Sequence, residues 1–266
     1  MDNKKLVRFL PFKGQVAGER RKLYFYRAFG MEVLYTRIFS FGACNFACPY
    51  CKRDGQFRTA EGNIVTSQDF EMGVVLTAVK TAIEAGEVVR LSGGDPVVFP
   101  EESLQIAEFA RTLGAKISIA HNGSSPEFCR KMAPYLESAA IDLKALPQNF
   151  NTVAGLKNGT GAKMFERSLQ SQTILSNIGV LVDVRTPIFG TTTLDDFLEL
   201  AECIVKSGNI QNKFWTLRLY NPVNGCEFTA PRKDTVIWMI GEIKKVYPEL
   251  KMGLRAKWDP KRFLYF

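Results

Sequence analysis

Seven short apolar stretches recur along the chain: Leu34–Phe41, Val88–Leu91, Lys116–Ala120, Ala139–Leu143, Leu181–Thr186, Phe214–Tyr220 and Lys251–Arg255. They are mostly β-branched or apolar, the pattern of strands covered on both faces. Helical patterns fill the intervals. The first runs from about Gln68 to Ala85, with Val75, Ala78, Val79, Ala82 and Ile83 on one stripe. Thr66 or Ser67 stands ready to cap it and Gly86 to end it. The others cover about Glu101–Leu113, a segment starting near Pro126, Lys163–Ser176, Leu194–Lys206 and Val236–Val246.

This alternation predicts parallel strands joined by right-handed crossovers. The fold class expected is α/β, a partial (β/α)6-type TIM barrel with a short N-terminal extension. Residues 33–266 would form the barrel and residues 1–32 the extension. No Pro/Gly/Ser-rich linker divides them, so one domain over 1–266 is expected.

Of the 266 residues, 46% are hydrophobic and 23% charged, enough apolar material for one sizeable core in a soluble protein. No apolar run approaches the roughly 18 residues of a membrane span, and Met1-Asp-Asn-Lys-Lys is not followed by a signal core. A cytoplasmic location is expected, with no membrane partner. The net charge of +8 gathers partly in Lys4–Arg8 and Glu19–Lys22. A solvated surface on the extension is the plain reading; attraction to an acidic partner is the sharper one. No nucleic-acid-binding motif accompanies it.

The cysteines change the picture. Of six, Cys129, Cys203 and Cys226 are scattered, whereas Cys44, Cys48 and Cys51 fall within eight residues. Such clustering argues for metal ligation over a secreted disulfide scaffold. The motif C-x-x-x-C-x-x-C follows the first strand, where a βα loop belongs. Thiolates suit iron–sulfur clusters or zinc. Three on one loop can take three corners of a cubane and leave the fourth iron open. A zinc site would need a fourth donor, His121 or a distant cysteine; it would suit a zinc-stabilised nucleic-acid-binding module.

The cysteine motif resembles the signature of the radical S-adenosylmethionine (SAM) superfamily. Tyr50 matches the aromatic position that lies against the adenine of SAM. Ser92-Gly93-Gly94-Asp95-Pro96 follows the second strand and looks like the family's Gly-Gly-Glu-Pro loop, which binds the SAM amino group, with Asp95 in place of Glu. Later segments are similar to glycyl-radical-enzyme activases of the pyruvate formate-lyase type. His121-Asn122-Gly123 stands where that subgroup has Asp-Thr-Asn-Gly, with Ala120 and His121 as departures. Asp142-Leu143-Lys144 matches its Asp-Leu-Lys, and Arg185 an arginine that pairs with the SAM carboxylate. Tyr220-Asn221 stands for Tyr-His near the ribose. No further cysteine lies between Cys51 and Gly93, so the ferredoxin-like insert of some activases is absent.

The resemblance implies two cofactors, a [4Fe–4S] cluster and SAM. It implies Cys44, Cys48 and Cys51 as metal-binding and catalytic residues. Tyr50, Gly93, Gly94, Asp95, Asn122, Asp142, Lys144, Arg185 and Asn221 would contact SAM or substrate. The implied reaction is reductive cleavage of SAM to a 5′-deoxyadenosyl radical that abstracts a hydrogen atom from substrate, with electrons from a flavodoxin- or ferredoxin-type donor. The first expectation is an activase acting on a glycyl radical enzyme. The alternative is an enzyme modifying a small molecule or nucleotide, marked by a closed polar pocket over the cluster. His121 reads as a loop hydrogen-bonder more than a base. All the candidates fall at the C-terminal ends of predicted strands, the face where (β/α) barrels carry their sites.

Overall fold

A computed structural model describes residues 4–51, 56–58, 64–157, 159–255 and 263–266; residues 1–3 of the expected extension lie outside these. In chain order the elements begin with β1 (Leu6–Phe9), β2 (Ala17–Leu23), a 3-10 turn (Tyr24–Phe29) and β3 (Leu34–Phe41). Next come β4 (Gln56–Arg58), β5 (Ile64–Thr66), β6 (Gln68–Glu71), α1 (Met72–Glu84), β7 (Val88–Gly93), α2 (Pro100–Thr112), β8 (Ile117–His121) and α3 (Pro126–Met132). The chain continues through β9 (Leu136–Asp142), α4 (Pro147–Ala154), α5 (Gly161–Asn177), β10 (Leu181–Ile188) and α6 (Leu194–Lys206). It ends with β11 (Lys213–Leu219), α7 (Lys233–Val246), β12 (Met252–Arg255) and β13 (Leu264–Tyr265).

The strands β3, β7, β8, β9, β10, β11 and β12 neighbour one another in chain order, every pair parallel. They are the seven strands expected from the apolar stretches. The sheet is open: β13 ends one side and β6 the other. The partial-barrel expectation therefore holds.

Two local expectations change. Residues Gln68–Glu71 are not the first turn of α1 but a strand, paired antiparallel with β1 from Leu6↔Glu71 to Phe9↔Gln68. Phe70 packs edge-on to Phe9, and this pairing outweighs helix propensity. Neither Thr66 nor Ser67 caps α1, which starts after Glu71 without a side-chain cap. The second change is α4, a helix the sequence pattern left unassigned, which buries Phe150, Val153 and Ala154.

Only the outer faces of the strands form a continuous apolar layer; on the inner face apolar residues such as Val88 and Phe214 keep to the N-terminal ends. On the outer face, Phe39, Leu91, Ile119, Ile141, Val184 and Leu217 join the helices in one core; Phe197 of α6 meets Trp215 edge-on at 5.7 Å. The strand registers place a different set on the inner face. Arg90 stands level with Ser118, and Ser118 with Ser138. Arg185 stands level with Asp142 and Thr216, and Arg218 with Arg255. A lumen lined by charge replaces the expected second apolar layer.

The N-terminal segment closes the lumen from below. Phe25 and Tyr26 pack with Val88, Phe214 and Phe263 in a small apolar cluster at the N-terminal ends of the strands. The Tyr26 hydroxyl donates to Glu137 and reaches Ser138 Oγ at 2.9 Å.

Candidate active site

At the opposite, C-terminal end of the strands, the chain leaves β3 at Phe41 and enters the cysteine loop. Backbone contacts from two neighbours shape it. The amides of Gly94 and Asp95 donate to the carbonyls of Phe41 and Ala43, each at 2.8 Å. A Cβ built on Gly94 would stand 1.9 Å from the Ala43 oxygen, so only glycine fits there. On the other side Ala47 N–H donates to the carbonyl of Ala154, which ends α4, at 3.3 Å. Gly155 follows with φ +62°, and its Cβ would lie 2.0 Å from the Ala47 oxygen. The loop then turns tightly, Cys51 N–H donating to the carbonyl of Cys48 at 2.9 Å.

A buried polar network lies beneath Cys44. Asp95 is 1% exposed, and its Oδ1 accepts from the amide of Val97 at 3.0 Å and meets His121 Nδ1 at 2.8 Å. Its Oδ2 accepts from the amide of Asn122 at 2.7 Å. His121 Nε2 accepts from the amide of Ser125 at 3.2 Å, which assigns the ring proton to Nδ1. His121 is thus a hydrogen-bonding residue of the loop, as expected. Asp95, one methylene shorter than glutamate, has both carboxylate oxygens engaged by these partners. The Asn122 amide Nδ2 donates to Asn45 Oδ1 at 2.7 Å and lies 3.9 Å from Cys44 Sγ.

Across the loop stands Lys144. Its ammonium donates to Asp142 Oδ2 at 2.7 Å and to the Tyr50 hydroxyl at 3.3 Å. Burial pulls the Lys144 pKa down, but Asp142, Tyr50 and Cys48 more than reverse this and hold it well above the ordinary lysine value. Burial likewise would raise the Asp142 carboxyl, yet the charge and hydrogen bond of Lys144 hold it below the usual range. Tyr50 packs with Phe189, Tyr220 and Phe228, an aromatic group at the rim. Asn221 follows at the end of β11, half-buried. Arg185 lies within β10 and not at its end, its Nε donating to Asp183 Oδ2 at 2.7 Å.

The donor set suits a polynuclear cluster. Among the described residues no group of three Cys, His, Asp or Glu side chains is placed to hold one metal ion. A cubane asks each thiolate for a different iron, whereas zinc asks four donors to converge on one point. Desolvation pushes the Cys44 thiol up to about 12, with the Phe46 amide pulling the other way. Binding a cluster therefore displaces protons.

Several site features escaped the sequence reading. Gly155, Asn45, Phe189 and Phe228 carried no local signal. Arg90, Asp183 and Arg218 did carry one: each is a charge set among apolar strand residues, Arg90 alone in β7, Asp183 two residues before Arg185 in β10, and Arg218 between two leucines in β11.

The Radical SAM superfamily model matches residues 38–204. The 7-carboxy-7-deazaguanine synthase of Methanocaldococcus jannaschii is 25% identical over 189 residues, 68% of this chain and 73% of that protein. A protein of the same archaeon named for glycyl-radical enzyme activation is 26% identical over 40% of this chain and 42% of its own. Streptococcus suis SuiB bound to SAM superposes with a TM-score of 0.61 at 14% identity, over 82% of this chain and 49% of SuiB. That likeness is of fold, and this chain spans about half of SuiB's length. No helix among the described residues is long and apolar enough to cross a membrane. With the family model covering well over half of its length, the chain belongs to the radical SAM superfamily, whose members use a [4Fe–4S] cluster and SAM.

Proposed function

We propose that this radical SAM enzyme acts on a small molecule held in the barrel lumen. The observation that carries the reading is the lumen itself, closed below by Phe25 and Tyr26 and lined with charge, with the cysteine loop over its open end. A charged interior of this kind suits a compact polar substrate better than a polypeptide. The match to a deazaguanine synthase, which covers 68% of the chain, supports the same class.

Cys44, Cys48 and Cys51 would hold the cluster, which together with SAM supplies an adenosyl radical able to take a hydrogen atom. The chain's own residues bind, orient and shield. Tyr50 and its aromatic neighbours would lie along the adenine, held by Lys144. The Gly93–Gly94 backbone permits close approach of the methionine part. Arg185 would hold the SAM carboxylate, steered by Asp183. Asn122, Asp142 and Asn221 would contact SAM or substrate from the rim. Asp95 acts as a positioning residue through His121 and Asn122. A flavodoxin- or ferredoxin-type protein would deliver the electron.

A second reading, activation of a glycyl radical enzyme, is favoured by the shorter match to an activase-named relative. Deuterium transfer separates the two. A deuterated small molecule that passes label into 5′-deoxyadenosine supports the proposal; label arriving only from the glycine of a partner protein supports the second reading.

A further inference from the structure

Among the described residues, Arg90 is a buried charge that no carboxylate pairs with directly. It is 3% exposed, in the apolar run Val88-Val-Arg-Leu91, on the lumen face of β7. Nη2 makes one long contact, 3.4 Å to the carbonyl of Ile119, and Nη1 has no hydrogen-bond partner among the described residues. A buried guanidinium left in that state is costly, and native proteins rarely keep one without a use.

The nearby carboxylates are already engaged. Asp183 accepts from Arg185 Nε at Oδ2 and from the Thr216 hydroxyl at Oδ1. Asp142 is held by Lys144, and Glu137 by Tyr26. Two other cations lie near enough to act on Arg90: Arg185, two residues beyond Asp183 on β10, and Arg218 on β11, which is exposed and level with Arg255 of β12. Burial and the charges of Arg185 and Arg218 depress the Arg90 pKa, while Asp183 opposes them. A guanidinium nonetheless stays protonated at neutral pH.

We infer that Arg90 and Arg218 form an anion-binding site in the lumen, which receives a carboxylate or phosphate group of the small-molecule substrate. A planar guanidinium matches either group with two parallel hydrogen bonds. The inference rests on the reading of the lumen as the substrate pocket, and it assigns the substrate class: a small molecule bearing at least one fixed negative charge.

The test is thermal unfolding of the anaerobically reconstituted protein, titrated with inorganic phosphate or with oxalate, against chloride at equal ionic strength. A bound anion should raise Tm by about 2–4 °C at saturation. Arg90→Met should abolish that rise while unfolding no earlier than wild type in chloride, because it removes an unpaired buried charge. Arg218→Gln, at an exposed position, should weaken the rise and decides the matter should Arg90→Met fail to fold. A rise with phosphate alone assigns a phosphate group; a rise with oxalate alone assigns a carboxylate. The inference is overturned by no rise over chloride, by an equal rise in the variants, or by loss of the rise under saturating SAM. The last result would mean that the arginines hold the SAM carboxylate. Formation of 5′-deoxyadenosine is read on the same preparation. Its absence with the anion effect intact removes the radical reading alone, and its presence without the effect removes this inference alone.

Discussion

Gly94 lies so close to Ala43 that a methyl group on its α-carbon would stand 1.9 Å from the Ala43 carbonyl oxygen and 2.3 Å from the carbonyl carbon. The glycine at the end of β7 thereby fixes the first residues of the cysteine loop, which leaves β3 beside it. The expected result of Gly94→Ala is a displaced loop on an intact barrel. Far-ultraviolet circular dichroism should match wild type, while 5′-deoxyadenosine formation falls about 100-fold, as a shift near 1 Å at a reacting centre produces. Unchanged turnover would mean that this contact does not set the loop.

Asp95 should act through stability and position together. Its carboxylate serves two backbone amides and His121 inside the protein. Asp95→Ala leaves those buried donors unpaired and should cost about 3 kcal/mol in urea unfolding. Asp95→Asn retains one acceptor oxygen and should cost less. Equal stability of all three proteins would contradict the buried network.

The Lys144–Asp142 pair yields a dependence on pH. Asp142 is held below its ordinary carboxyl pKa, so its contribution is complete above the unfolded value and lost as pH falls through the folded one. Lys144 is held above its ordinary value, so its contribution is complete below that value and lost only in strong alkali. The pair is therefore intact across the neutral range. Lys144→Met strands the Asp142 charge, at a cost on the order of 2 kcal/mol at pH 7, less than for a fully buried pair because Asp142 keeps 29% exposure. Burial then raises the Asp142 carboxyl, so the native variant binds more protons than its unfolded chain in weak acid, and its deficit should shrink from pH 7 to pH 5. Chemical denaturation at the two pH values checks this; a deficit that grows toward pH 5 contradicts it.

The parallel strands were legible in the sequence because their outer faces carry continuous apolar runs, from Phe39 through Ile119 to Leu217. The cysteine loop and the glycine loop were legible because their spacing is local. What the pattern hid depends on partners distant in sequence. Gln68–Glu71 becomes a strand only because β1, some sixty residues earlier, offers it an edge. The partners of Asp95, His121 and Asn122, arrive from the end of the next strand, which the local sequence around Asp95 does not show. Gly155 carried no local signal, because its contact with Ala47 exists only in three dimensions. Arg90, by contrast, broke the apolar run of its own strand, a signal present in the sequence from the start.

Everything proposed for this site depends on one loop gripping an iron–sulfur cluster through Cys44, Cys48 and Cys51. The most direct test is anaerobic reconstitution with iron and sulfide, followed by reduction, addition of SAM and quantification of 5′-deoxyadenosine, with Cys48→Ala in parallel. The wild type should show a low-potential cubane and steady release of 5′-deoxyadenosine, and the variant should lose both. Tetrahedral zinc bound by the three thiols and a fourth side chain, or turnover undiminished in Cys48→Ala, would contradict it.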